Sequence, residues 1–380
     1  MIYLDNHATT QIDPKVCDDI DNAMRTIFAN PHSTTHALGW GANDAVENAR
    51  SDVAKCVGAK STDVIFTSGA TEANNIFIKG VAFGDGADAS SRRKILVSSI
   101  EHSCVLESAK YMADHNIDVG FIPVGETGLV DMIALEGMLD ERVALVSVMM
   151  VNNEIGTIQD ITKISAMAHA VGALMHSDIA QALGRVEINM KNLGLDAVSI
   201  SAHKIYGPKG IGALVLSRGV TLLPLFSGGG QEKGLRAGTL SPPLCIGFGR
   251  ACVLATTDIL TEQSRTASLR DSLQEVILSR VDDVRVLGDI NNRISGSLSV
   301  FFGGIDEDNF FSKLKGLAVS TSSACSSAKS GGSHVLRSIG MDAAEQGMML
   351  RICVGRFNSV KDVRDAGALI FGAIRELKSL

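Results

Sequence analysis

Short apolar runs alternate with longer amphipathic stretches between about residue 60 and residue 217. Seven runs have the length and composition of buried strands: 64–67, 95–98, 119–122, 144–149, 173–175, 197–200 and 213–216. Between several of them, apolar residues recur at helical spacing, as at 71–81, 105–114 and 161–171. Alternating strands and helices predict a mainly parallel, seven-stranded sheet covered by helices on both faces. We therefore predict an α/β fold whose large domain spans residues 15–257.

The C-terminal third shows a different order of elements. A long amphipathic stretch, two strand-like runs and two further helical stretches follow one another at 261–280, 284–287, 297–302, 309–315 and 361–378. This order is typical of a smaller α+β domain packed beside the first. We assign to it residues 1–14 and 258–380.

The composition is that of an ordinary globular enzyme and argues against several other classes. Of the 380 residues, 45% are hydrophobic and 20% are charged, and the formal net charge is −7. No basic field is present to attract nucleic acid or an anionic membrane, so we expect neither as a direct partner. The first ten residues lack the basic and apolar regions of a signal peptide. We expect a cytoplasmic protein.

The cysteines are spread along the chain, and one of them has unusual surroundings. There are seven, with no CxxC pair, which favours reduced thiols over a disulfide framework or a metal site. Cys325 lies in the Ser/Gly-rich stretch 320–340, whereas a structural cysteine usually lies in an apolar run. A thiol on such a loop is accessible and readily ionised, so Cys325 is a candidate nucleophile.

Lys204 follows the apolar run 197–200 and precedes a turn that contains Gly207, Pro208 and Gly210. Most lysines are solvated surface residues. This one, however, would lie at the end of a buried strand, where α/β sheets collect ligands. A partly desolvated amine at that position can act as a nucleophile or form a Schiff base with a carbonyl cofactor.

Two further strand ends carry groups that suit such a cofactor. The sequence TSGATEANN at 67–75 opens a helix near Thr71, and free amides at a helix N-terminus bind phosphate, although a plain helix cap is an alternative. Ser201 and His203 could complete this phosphate site. Asp178 ends another apolar run, and Gln181 follows three residues later. The Asp178 carboxylate either caps a helix or pairs with a protonated ring nitrogen. Together with Lys204, this layout is typical of an enzyme that uses pyridoxal 5′-phosphate (PLP).

His102 comes directly after a predicted strand. A solitary histidine is often structural, but in the same cleft as a Schiff-base lysine its ring could stack on the cofactor and transfer protons.

The chain resembles the NifS/IscS-type cysteine desulfurases, which are fold-type I PLP enzymes. Ten motifs carry the resemblance in one order along the chain: YLDNHATT, NPHSTTHALG, SGATEANN, EHSCVLES, VNNEIG, SDIAQ, SAHKIYGPKGIGAL, GGGQEKGLRAGT, SSAC and LRICVGRFN. The long loop that contains SSAC is similar to that of the group I branch.

The resemblance implies a role for each candidate. Lys204 matches the lysine that binds PLP covalently, His102 the histidine that stacks on its ring, and Cys325 the sulfur acceptor. Asn153 and Arg351 match residues that orient the substrate, with Arg351 on its α-carboxylate. The remaining cofactor-binding positions are Ala70, Thr71 (phosphate), Asn153, Asp178 (ring nitrogen), Gln181 (ring oxygen), Ser201 and His203 (phosphate), and Thr239 of the partner subunit of a homodimer.

By resemblance, the protein converts L-cysteine to L-alanine and leaves a persulfide on Cys325. That sulfur would pass to a protein acceptor for iron–sulfur cluster assembly, tRNA thiolation or DNA phosphorothioation. Because the sequence stops at RELKSL, where housekeeping members continue with a scaffold-docking tail, we expect a dedicated acceptor.

Three other functions compete with this interpretation. An aminotransferase of the same fold needs no cysteine on a Ser/Gly-rich loop, so Cys325 argues against it, while a selenocysteine lyase stays an alternative. A non-catalytic interaction protein would have no reason to retain Lys204, Asp178, His102 and Cys325 together, and it would bind no yellow cofactor.

Overall fold

The computed structural model describes residues 1–84, 92–305, 307–321, 332–341 and 349–378. Its strands are β1 Ile2–Tyr3, β2 Val64–Thr67, β3 Lys94–Ser98, β4 Asp118–Ile122, β5 Val143–Ser147, β6 Leu174–Asp178, β7 Ala197–Ser201, β8 Gly212–Leu216, β9 Val284–Leu287, β10 Ser297–Phe302, β11 Leu317–Ala318, β12 Ser320–Thr321 and β13 Met349–Cys353. Its helices are α1 Pro14–Thr26, α2 Ala37–Lys55, α3 Ala70–Phe83, α4 Ser103–Ala113, α5 Met132–Met138, α6 Ile161–Ala170, α7 Pro242–Thr257, α8 Ile259–Arg280, α9 Glu307–Lys313, α10 His334–Ser338 and α11 Val360–Lys378.

The predicted mainly parallel sheet is confirmed. Seven strands lie in the spatial order β2-β8-β7-β6-β5-β3-β4. Every neighbouring pair from β7 to β4 is parallel, whereas β8 runs antiparallel to both β7 and β2. The carboxyl ends of β3, β5, β6 and β7 therefore meet at one edge, which is where α/β sheets place their ligand sites.

Helices cover both faces of this sheet because alternate strand residues point to opposite sides. In β7, Val198 and Ile200 belong to one apolar cluster, which also contains Phe248 of α7. Ala197 belongs to the opposite cluster, with Phe77 of α3. Strands buried on both faces read as continuous apolar runs, and this is why they could be recognised in the sequence.

A second apolar core lies in the C-terminal part of the chain. Strands β12, β13, β10 and β9 form an antiparallel sheet, and α8 and α11 contribute to the same core. Strand β1 pairs in parallel with β11, which brings the N-terminus to this part of the molecule. The predicted division at residues 14 and 258 stays a prediction.

Within the described ranges, no cluster of three or more His, Cys, Asp or Glu residues could hold a metal ion. No single helix in that part of the chain is long and apolar enough to cross a membrane; α7 and α8 reach the necessary length only together, and they are bent by 74° relative to each other.

Candidate active site

A cavity of about 570 Å³ opens at the carboxyl edge of the large sheet. Ten of the residues proposed from the sequence line it: Ala70, Thr71, His102, Asn153, Asp178, Gln181, Ser201, His203, Lys204 and Arg351. Thr239 does not line this cavity and is exposed on the surface of the chain. Cys325 lies outside the described residues.

Lys204 ends a short 3-10 turn, Ala202–Lys204, that directly follows β7. Its Nζ donates hydrogen bonds to the carbonyl oxygens of His7, at 2.5 Å, and Ala8, at 2.8 Å. The side chain is half-buried and faces the cavity, so the solvated-surface alternative is wrong for this lysine.

The carboxylate of Asp178 lies at the end of β6 and is 5% exposed. Its Oδ2 accepts a hydrogen bond from Asn74 Nδ2 at 2.7 Å, and its Oδ1 accepts one from the Ala180 amide at 2.9 Å. Gln181 is fixed beside it, because its Nε2 donates to His7 O and its Oε1 accepts from Arg185. A rigid, water-poor carboxylate of this kind can hold a proton on a bound ring nitrogen.

The N-terminus of α3 forms another wall of the cavity. Its N-cap is Gly69, which provides no side-chain hydrogen bond, so Thr71 is not the cap. Gly69 has φ of 155°, and a Cβ atom there would lie 3.6 Å from Ser201 Oγ. A helix N-terminus next to two hydroxyl groups can bind an anion.

His203 lies beside this site with its Nδ1 3.1 Å from Thr9 Oγ1. Burial, with Lys204 and Lys209 as further causes, lowers the pKa of His203 to about 4. Its imidazole is therefore neutral at pH 7 and contributes a hydrogen bond rather than a charge.

His102 has a structural and a site-lining position at once. It is the N-cap of α4, and its Nδ1 accepts a hydrogen bond from the Cys104 amide at 3.2 Å. Burial lowers the pKa of His102. The negative charge of Asp178 opposes this shift, and the positive charge of Lys204 adds to it. The ring is thus a neutral imidazole at the cavity wall.

Arg351 in β13 brings a positive charge to the cavity wall, and the residue is 2% exposed. Its Nη2 donates to Asp5 Oδ1 at 3.0 Å, and its Nη1 donates to Asn153 O at 3.2 Å. Ser320 Oγ donates to the other oxygen of Asp5 at 2.7 Å.

Several lining residues were not proposed from the sequence: His7, Ala8, Thr9, Ser68, Gly69, Cys104, Met149, Ala180, Lys209 and Gly210. Three come from the N-terminal segment, whose motif YLDNHATT was noted but given no role. His7 is 1% exposed; its Nδ1 contacts Asn153 O, and no hydrogen-bond partner of its Nε2 occurs among the described residues.

The donor set fits PLP. An aldehyde requires an amine, which Lys204 supplies, and a pyridinium nitrogen requires a buried carboxylate, which Asp178 supplies. The phosphate requires amides and hydroxyl groups, which Gly69, Thr71 and Ser201 supply from two neighbouring elements. All three kinds of group line one cavity.

The model of the aminotransferase class-V family matches residues 2–365. The chain belongs to this family of PLP-dependent enzymes, and within it to the cysteine desulfurases of the NifS/IscS type. It is 40% identical to cysteine desulfurase IscS of Rickettsia bellii, over all of this chain and 92% of that protein.

Solved structures agree with this grouping. A NifS-like protein superposes with a TM-score of 0.92 at 32% identity, over 99% of this chain and 100% of that one. SspA in complex with cysteine superposes with a TM-score of 0.82 at 31% identity, over 94% and 100% of the two chains. The resemblance stated from the motifs is confirmed, as are the fold class and PLP as cofactor.

Proposed function

We propose that this protein takes the sulfur atom from L-cysteine, releases L-alanine and delivers the sulfur to a protein acceptor through a persulfide on Cys325. The observation that carries the proposal is the convergence of Lys204, Asp178 and Arg351 on one cavity. Incubation of the protein with PLP and L-cysteine tests it. Alanine and transferable sulfur should appear in equal amounts, and alanine without sulfur, or pyruvate in its place, would contradict the proposal.

Bound PLP would withdraw electrons from the α-carbon of the substrate. In the proposed roles, Asp178 keeps the ring nitrogen protonated, and Gln181 positions the ring oxygen. Thr71, Ser201, His203 and Ala70 anchor the phosphate end. The Lys204 amine, which is held at the same cavity wall, would bind the cofactor aldehyde and would move the α-proton of the substrate.

Substrate orientation is assigned to Arg351 and Asn153. The guanidinium binds the α-carboxylate in a bidentate manner, for which its planar fork is suited. Asn153 lines the same cavity, and its carbonyl oxygen accepts a hydrogen bond from Arg351 Nη1. His102, as a neutral imidazole on the ring face, transfers protons to and from the substrate.

Sulfur transfer is assigned to Cys325, a residue outside the described ranges. Its thiolate forms an S–S bond to the substrate sulfur as the C–S bond breaks, and the carbon that loses sulfur is protonated to give L-alanine. A selenocysteine lyase would use the same groups, so the ratio of rates with L-cysteine and L-selenocysteine separates the two activities.

We expect Arg351→Lys to raise the KM for L-cysteine about 10- to 100-fold while PLP stays bound, since a lysine cannot reproduce the bidentate contact. Steady-state kinetics and the absorbance of bound PLP measure the two quantities. Arg356→Lys is the control, because Arg356 is also ion-paired, to Asp13 and Glu262, but lies outside the cavity. An unchanged KM in the Arg351 variant would remove this residue from the substrate site.

We also propose a cytoplasmic homodimer in which Thr239 completes the cavity of the opposite subunit. The exposure of Thr239 in the single chain supports this arrangement. Sedimentation at low micromolar concentration should give a dimer, and Thr239→Ala should weaken PLP binding without changing the mass. A fully active monomer would contradict it.

With a net charge of −7, we expect the sulfur acceptor to be a protein rather than nucleic acid.

A further inference from the structure

One thiol in the cavity wall contacts both His102 and the buried amide group that supports Asp178. Cys104 is the second residue of α4, and its Sγ lies 3.0 Å from His102 Nδ1. Asn74 Nδ2 donates a hydrogen bond to the same sulfur at 3.2 Å.

The direction of these hydrogen bonds follows from the backbone. The Cys104 amide donates to His102 Nδ1, so this nitrogen is an acceptor and the proton of the neutral ring is on Nε2. The only hydrogen of the thiol then also points to Nδ1. The sulfur lone pairs remain as acceptors, and Asn74 Nδ2 donates to the sulfur.

Asn74 extends the network to the carboxylate. It is fully buried, and its amide nitrogen donates both to Cys104 Sγ and to Asp178 Oδ2, the latter at 2.7 Å. A continuous series of hydrogen bonds therefore runs from Asp178 through Asn74 and Cys104 to His102.

Cys104 is held in its protonated form. Burial, with the charge of Asp178 as the next cause, raises the pKa of the Cys104 thiol to about 12. A thiol in this state donates hydrogen bonds but is a poor nucleophile. Cys104 therefore does not compete with Cys325 for the substrate sulfur.

We propose that Cys104 is a positioning residue whose thiol fixes the orientation of the neutral His102 ring and links this histidine, through Asn74, to Asp178. The proposal rests on the proposed function, since His102 and Asp178 are the groups it aligns. In this proposal, Cys104 acts on the reaction through the side chain of His102.

The test uses PLP-free protein labelled with ¹⁵N-histidine, so that its outcome does not depend on turnover. In the wild type, His102 should be the neutral Nε2–H tautomer at pH 7. Cys104→Ala removes a donor to the unprotonated Nδ1 and should raise the pKa of His102 by about 0.5 to 1. Cys104→Ser keeps a donor and should restore a value near that of the wild type.

Cys245→Ala is the matched control. Cys245 is also buried, with its pKa raised to about 12 by burial, but it lies in α7 away from the cavity. The charged and titratable groups around His102, namely Asp178, Lys204 and His334, are unchanged in all variants. A loss of stability alone would lower the melting temperature without moving the titration of His102.

An unchanged titration in Cys104→Ala would overturn the proposal. A serine variant that titrates like the alanine variant would overturn it as well, because the donated hydrogen would then not be what holds the ring. If the alanine variant does not fold, Cys104→Ser against wild type decides: a raised pKa of His102 contradicts the proposal, and an equal or lower one supports it. Failure of wild type to bind PLP or cleave L-cysteine would instead refute the proposed function.

Discussion

Lys204→Ala should lose L-cysteine turnover by more than about 10⁴-fold, because it removes the amine that binds the cofactor and moves the α-proton. The variant should fold, since the Lys204 side chain is only half-buried and lines a cavity rather than the apolar core. Alanine formation, circular dichroism and the absorbance of bound PLP measure the three effects.

Lys209→Ala provides a stringent control. Lys209 lines the same cavity but is exposed and lies within the turn rather than at the strand end. It should keep most of the activity. Borohydride reduction of the wild-type enzyme, followed by peptide mapping, should place the pyridoxyl group on Lys204. A pyridoxyl group on Lys209 would show that the assignment of the two lysines is reversed.

Cys325→Ser should keep PLP and its yellow colour yet lose sulfur transfer by about 10³-fold or more, because a serine hydroxyl group cannot accept sulfur as a persulfide. The absorbance change on addition of L-cysteine should persist, since substrate binding is assigned to Arg351 and Asn153. Sulfide release, persulfide labelling and alanine formation are the measurements.

The other cavity thiol cannot replace Cys325 in this variant. The raised pKa of Cys104 leaves almost no thiolate at pH 8. Cys17→Ser, a change at an exposed cysteine, should affect neither PLP binding nor sulfur transfer. Desulfuration at the normal rate by Cys325→Ser would show that another group accepts the sulfur.

The elements that could be predicted are those with a strong local pattern. The runs at 284–287 and 297–302 coincide with β9 and β10, and the helix predicted at 361–378 begins one residue earlier as α11. The antiparallel direction of β8 could not be predicted, because an apolar run looks the same in either direction. The helices α1 and α2 were missed, since α1 has few apolar residues and α2 contains Gly39 and Gly41 among many polar residues.

In the site, too, the residues with a strong local sequence pattern could be predicted, whereas contacts between distant parts of the chain could not. Strand ends followed by Asp178, Ser201 and Lys204 could be recognised, because parallel strands present their carboxyl ends at one edge. The contact of Lys204 with the N-terminal segment could not, since 197 positions separate it from His7. Cys104 was missed because its surroundings in the sequence are those of an ordinary helix residue.

The ion pair between Arg351 and Asp5 has a consequence for substrate selection. Arg351 is almost fully removed from water before any substrate arrives. The free-energy cost of dehydrating its guanidinium is therefore part of folding and not of substrate binding. In the role proposed for Arg351, the α-carboxylate of an amino acid would meet a cation that Asp5 already holds in place. Thiols without a carboxylate, such as cysteamine, would gain nothing from this preorganised cation.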